Sequence, residues 1–582
     1  MNFKVVITTA WLLTLPASAA DMDLKLTEFY QRHLEAEFRL CPLTATRLGD
    51  HRFDHQLDDV SAAGRARWLE HERRTLEELP RAVDYAQLSR PAQVDFEILR
   101  HQLQRSLWVT ENIRAFERDP RVYGEYITDS VFVLFTQSSL PMATNIANAT
   151  ARMAEIPRVL EAARANLRDP PRVVVETAIK QNRGAISFYE RELFALVGRS
   201  AVTPELKAAA GRVVEALRRH QRFLEEDLLP RATGEWRLGR EKFAKKFELE
   251  IAAGITAEEA LREAEAEFQR VSRDLYVLAR QLWCVHFPAL TLPPDDAAGR
   301  REVVQRVLGA IARDHAEPQQ LVGEAQATVA KLKRFIAEKK LLALPEPDRC
   351  RVMEMPEFMR GNSTANLQPA PPLDPETASL YNISPPPHDW SPERIRSFVQ
   401  EYHRRMLQIL TIHEAYPGHF VQFHYANRQP SLIRRTCGSD VYIEGWAVYG
   451  EQMLLDEGYG GGDPALRLTG LKFYLRAVAN TILDHQMHCD GLTDEAAQRF
   501  LTEDVFQTEG EAQLKIIRAK QSSVQLSTYF VGRMALTRLR QHIQREQGAQ
   551  FDLGRYHQAV LEEGAVPVKF LPELVRARLE QR

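Results

Sequence analysis

Apolar side chains recur at alternating steps of three and four over long stretches of this chain, and that spacing restricts it to a body built from helices. After Thr256 the apolar positions are Leu261, Ala264, Phe268, Val271, Leu275, Leu278 and Leu282, with Glu and Arg at many of the places between them. A helix turns by about 100° per residue, so this pattern gathers the apolar side chains on one face. Thr203-Pro204-Glu205 and Ser391-Pro392-Glu393 each set a hydroxyl cap ahead of a proline at the first helical position and an acid in the first turn. Both announce a helix start. Strand signals are sparse. The best are 351–355 and 379–383, inside a proline-rich region from about Pro345 to Pro387 that reads as a link between two lobes. No fixed-period repeat or low-complexity tract is present, which argues against a solenoid. The expected fold is mainly α with little sheet, comprising a helical N-terminal lobe at 21–345 and a C-terminal lobe at 346–582.

The first twenty residues are set apart from that body. Lys4 precedes an apolar run from Val5 to Leu15, and Ala17-Ser18-Ala19-Ala20 offers small residues before Asp21. The run is well short of the roughly 20 residues that cross a bilayer, so 1–20 reads as a cleavable signal and the mature chain as periplasmic or secreted. No cysteine follows the small residues to carry a lipid. The five cysteines are scattered along 582 residues without a Cys-x-x-Cys pair, which rules out a dense disulfide framework. A formal charge of -3 and no long run of like charge make nucleic acid and anionic membrane poor partners.

The chemistry concentrates in Thr411-Ile412-His413-Glu414-Ala415-Tyr416-Pro417-Gly418-His419-Phe420. It begins like the His-Glu-x-x-His zinc motif, in which two histidines one turn apart bind the ion and the glutamate activates water. Pro417 stands where the second histidine belongs. On an ideal helix His413 and His419 would lie roughly 120° apart around the axis and about 9 Å apart along it, too far to share an ion. Pro417 and Gly418 are the residues able to break the helix, and a local two-residue expansion there would swing His419 back toward His413. His424 returns to the face of His413 but about 16 Å away. Glu444 is the expected third ligand, on a later helix running through Tyr449 and Met453. Two histidines and one carboxylate leave a zinc position open for water, with Glu414 as general base.

These segments resemble the bacterial family catalogued as domain of unknown function 885, marked by H-E-A-x-P-G-H-H-x-Q and E-G-W-A-x-Y. Here they stand as His413 to Gln422 and Glu444 to Tyr449. The family is in turn similar to the helical gluzincin peptidases. That likeness implies an active site deep in a channel between two helical lobes, one Zn2+ held by His413, His419 and Glu444, and Glu414 as the base. This chain departs at Phe420, where the family often has a second His, and at Ala479, where it often has Arg. Asp484 and His488 fit its D-x-x-x-H, and Tyr529 and Gly532 its Y-x-x-G. The resemblance makes Tyr529 and His488 candidates to stabilise the oxyanion, against the alternatives that Tyr529 packs between helices and that His488 and Asp484 form a structural pair. Arg476 and Arg518, with Asp484, are candidates for substrate binding, the arginines through a peptide carboxylate. The expectation is a zinc metallopeptidase acting on short peptides. A zinc hydrolase of another amide or ester, or a binding protein that has lost catalysis, are the alternatives.

Overall fold

The computed structural model describes residues 19–198, 201–355, 365–386 and 390–581, so the proposed signal at 1–20 lies almost wholly outside the described residues. Helices form most of the described chain. They start where the caps stand. The Thr256 hydroxyl accepts from the Glu259 N–H while the Glu259 carboxylate accepts from the Thr256 N–H, and this reciprocal pair opens the helix Ala257–His286. The Thr203 and Ser391 hydroxyls accept from Leu206 and Arg394 and open Pro204–Arg222 and Pro392–Glu401. The apolar face of Ala257–His286 buries Ala264, Phe268, Val271, Leu275 and Leu282, and this helix packs along Pro464–Cys489.

The sheet within the described residues has three short strands, β1 (Cys350–Glu354), β2 (Ala365–Gln368) and β3 (Ser379–Ile383). β3 is central, parallel to β1 and antiparallel to β2, with Val352 and Leu367 both opposite Tyr381. All five β3 residues are buried. β1 and β3 fall where strand signals stand in the sequence, β1 beginning one residue earlier. β2 has no such signal; to its backbone pairing with β3 the side-chain amides add two bonds, Asn382 Nδ2 donating to Asn366 Oδ1 and Gln368 Oε1 at 3.0 and 3.1 Å. The Tyr381 hydroxyl lies 3.1 Å from Thr411 Oγ1 and ties the sheet to the helix Arg404–Glu414.

Two hydrophobic cores hold the molecule. The smaller draws on residues between Leu57 and Ala232. The larger runs from Met22 to Val575 and therefore crosses position 345, with Phe247 and Trp283 in the same core as Tyr442 and Leu475. All five cysteines are unbridged. Among the described residues no helix is long and apolar enough to cross a membrane.

The larger core contains one backbone contact on which the site depends. The helices Asp440–Asp456 and Thr528–Gln547 pack against each other at Gly445 and Gly532. A Cβ on Gly532 would stand 1.9 Å from the Val441 carbonyl oxygen, and one on Gly445 would stand 2.4 Å from the Gly532 carbonyl carbon. Only glycine permits this approach. Gly532→Ala should destabilise the fold by about 1–3 kcal/mol in urea unfolding. Gly211→Ala, on an exposed helix position with nothing within 4 Å of the added carbon, should instead stabilise it by about 0.5–1 kcal/mol.

Candidate metal centre

His413 lies at the end of the helix Arg404–Glu414, and the chain then leaves the helix altogether. Residues Ala415 to Gly418 make a turn containing a cis Tyr416–Pro417 bond, and a new helix begins at His419 and runs to Ala426. The expected two-residue expansion is thus a complete break between two helices. Gly418 is required for its size. Its N–H donates to the Ile412 carbonyl at 3.0 Å, and a Cβ there would stand 1.8 Å from the His413 carbonyl oxygen. The Trp446 indole N–H donates to the Pro417 carbonyl at 2.8 Å and pins the turn to the helix that carries Glu444.

The turn brings the His413 and His419 rings to 4.7 Å between centroids. One oxygen of Glu444 lies 3.5 Å from His413 Nε2 and 3.6 Å from His419 Nε2. The ligand atoms of the three residues all fall within 4.8 Å of one another. Separations of 3.5 and 3.6 Å are long for a hydrogen bond. They suit the edge of a tetrahedron, since zinc ligands at about 2.0–2.1 Å stand roughly 3.3 Å apart. Glu444 Oε2 is moreover buried without a hydrogen-bond partner among the described residues. These residues fit a divalent metal.

A fourth residue completes the arrangement. Glu451, seven positions after Glu444 on the same helix, places Oε1 2.7 Å from His413 Nδ1. A carboxylate accepts, so Nδ1 carries a proton, and in the neutral ring Nε2 turns its lone pair toward His419 and Glu444. Burial disfavours the imidazolium of His413, but the carboxylates of Glu444 and Glu451 beside its two nitrogens outweigh it and hold its pKa well above the usual value. Burial would likewise raise Glu444, yet its two histidine partners keep it well below the carboxylate range. Glu414 is buried, 7% exposed, and its carboxylate has no hydrogen bond among the described residues.

Tyr529 faces this cluster. Its ring stacks on His413 with centroids 6.4 Å apart. Its hydroxyl accepts from Arg518 Nη2 at 3.0 Å. Burial, then the charge of Glu444, push the phenol up to about 12, so it remains a hydrogen-bond donor at neutral pH.

A family model described as "Bacterial protein of unknown function (DUF885)" matches residues 42–575. The chain belongs to that family. Comparison with curated protein sequences finds no significant match. Among solved structures, a "putative lipoprotein of unknown function" from Shewanella oneidensis is 28% identical, with a TM-score of 0.78 over 96% of this chain and 100% of that one. A "putative lipoprotein" from Colwellia psychrerythraea, 17% identical, has the same fold at a TM-score of 0.75, again over 96% and 100% of the two chains.

Within this member of the family, other residues expected at the site stand apart from the three ligands. The His488 ring is buried between Trp236 and Phe243, and its Nε2–H is shared by the carbonyls of Ala519 and Ser522 at 3.0 and 2.9 Å. An oxyanion would find that donor already engaged. Asp484 accepts from the Val524 N–H and the Ser527 hydroxyl, both at 3.1 Å, and holds the turn before Tyr529. Arg476 reaches Glu511 at 3.4 Å and Glu401 at 3.8 Å. Phe420 is buried against Tyr416, and His424 sits beside Arg428. Glu451 has no place among the sequence-derived candidates, although a lone acid two helical turns beyond Glu444 in an apolar run was a signal.

Glu451→Gln should lower zinc affinity by about 10–100-fold in competition with a chromophoric chelator. His413, with its pKa held up, must lose a proton when metal binds, so zinc affinity should rise with pH through neutrality and fall as acid protonates the ring. Calorimetry of zinc binding in buffers of different ionisation enthalpy measures the proton released.

Proposed function

We propose that the protein is an exported zinc-dependent metallopeptidase that hydrolyses short peptides. The observation that carries this reading is the approach of two imidazole nitrogens to one carboxylate oxygen at 3.5 and 3.6 Å, with Glu414 buried next to His413 in the chain. His413, His419 and Glu444 would hold the metal. A zinc ion bound there supplies an acidified water and polarises the scissile carbonyl. Glu414, lacking a partner of its own, is free to take the proton of the attacking water and return it to the departing amine. Tyr529 donates its hydroxyl proton toward the negative charge that develops on the carbonyl oxygen, while Arg518 holds the phenol in place. Glu451 fixes the tautomer of His413 throughout.

A purely structural zinc site closes its fourth position with another protein ligand and needs no base. Among the described residues no fourth ligand joins the three, which supports catalysis over a structural role. Export is supported by the leader-like 1–20 and by the description of the 28% identical Shewanella protein as a "putative lipoprotein".

The test is zinc-dependent turnover of a panel of short peptides, free or blocked at either end. Glu414→Gln should abolish cleavage with zinc content unchanged. Tyr529→Phe should lower kcat by about 10²–10³ with little change in KM. A panel left uncut by the zinc-loaded wild type, or cleaved by Glu414→Gln, would overturn the reading.

A further inference from the structure

Glu511, Lys515 and Arg518 follow one another at steps of four and three on one face of the helix Glu509–Gln521. Both ends of that face are tied down. At one end the Glu511 carboxylate accepts from the Tyr402 hydroxyl at 3.0 Å and from Arg476 Nη2 at 3.4 Å. At the other, Arg518 Nη2 donates to the Tyr529 hydroxyl at 3.0 Å and to Gln525 Oε1 at 2.8 Å. Lys515 stands between them. It is 8% exposed, and among the described residues its ammonium has neither an ion pair nor a hydrogen bond.

A buried, unpartnered ammonium is costly, and the neighbourhood makes it more so. Lys472, Arg476, Lys515 and Arg518 bring four cations to this wall, against the carboxylates of Glu401 and Glu511. Glu401 is taken by Lys472 at 2.9 Å. At the Tyr529 end the acid that acts on both Lys515 and Arg518 is Glu444, which the metallopeptidase reading assigns to the ion. Burial, then Arg518 and Arg476, pull the Lys515 pKa well below its usual value, the condition that a bound anion relieves.

We propose that Lys515 and Arg518 form a receptor for a carboxylate of the substrate, beside Tyr529. This rests on the metallopeptidase reading and names its substrate class. Arg518 touches Tyr529, whose ring lies against His413, so a single side-chain layer separates the receptor from the metal ligands. A peptide residue spans about 3.3–3.6 Å, so one or two residues bridge from the receptor to the scissile bond. The substrates are short peptides carrying a carboxylate within two residues of the bond that is cut. A free C-terminus and an acidic side chain both present that group.

The test is calorimetric binding to the full-length Glu414→Gln protein, which leaves the ligands intact. The probes are N-acetyl-Gly-Phe with a free C-terminus, its C-terminal amide, and N-acetyl-Gly-Glu amide. A carboxylate probe should bind about 30-fold or more tightly than the uncharged amide, and adding Lys515→Met should erase the difference. Preference for the first probe marks a chain terminus, and for the third an acidic side chain. Lys515→Met should also raise Tm, because it removes an uncompensated buried charge. Equal binding of acids and amide, a preference that survives Lys515→Met, or a large fall in Tm would each overturn the proposal. Zinc content, measured on the same samples, separates the two ideas. A charge preference without zinc sinks only the metallopeptidase reading, and zinc-dependent turnover by the wild type, with no charge preference in the Glu414→Gln protein, sinks only the receptor.

Discussion

The site depends on the close passage of Gly418 beneath the end of the helix that carries His413. With the Gly418 N–H bonded to the Ile412 carbonyl, there is no room for a side chain against the His413 carbonyl, and the chain is forced to turn back within four residues. That reversal removes the separation of about 9 Å that a continuous helix would impose between the two histidines. It also presents the Pro417 carbonyl to Trp446, whose indole N–H takes it at 2.8 Å. Because Trp446 is two residues from Glu444, the bond that closes the turn also sets the third ligand against the first two. Gly450, one turn further, faces the same proline: a Cβ there would meet Pro417 Cγ at 3.4 Å, an ordinary contact.

The electrostatics of this corner follow from packing acids around imidazoles in an apolar core. Glu444, Glu451 and Glu414 are largely removed from water, where each carboxylate costs several kcal/mol to bury unless it is paired. His413 can satisfy Glu451 outright and Glu444 only at 3.5 Å. The excess is negative, and a divalent cation among the three residues would offset it where a further hydrogen bond would not. Tyr529 and Arg518 close the other side with a donor and a positive charge, so the field runs from acids at the ligands to cations along the helix Glu509–Gln521.

Local chemistry was legible in the sequence, and tertiary partnership was not. Thr203 and Ser391 cap helices within three residues of themselves, so their patterns needed no knowledge of the fold. His413, His419 and Glu444 could be grouped because few residue types bind metal and Pro417 forbids a continuous helix. The nature of the break escaped because the close passage of Gly418 against the His413 carbonyl is a contact that residue spacing does not reveal. Asp484 and His488 look like site residues because a polar side chain in an apolar helix reads the same whether it faces a substrate or a backbone turn. Lys515 was hidden for the opposite reason, since lysine on a helix is ordinarily solvated and its burial here comes from neighbours far along the chain.

Asp484 and His488 still matter to the site, through the turn that joins Arg518 to Tyr529. Val524 in that turn has a φ of +70°, a region that a β-branched residue enters at a cost on the order of 1–3 kcal/mol. Asp484 accepts its N–H, His488 binds the carbonyl of Ser522, and Lys246 donates to the carbonyl of Ser523 at 2.6 Å. Three buried side chains thus hold the turn in a conformation it would not choose. A hydroxyl that must meet a developing charge is most useful when it needs no reorganisation at that moment. On the metallopeptidase reading proposed above, the strain at Val524, five residues before Tyr529, is the local cost of holding that hydroxyl still.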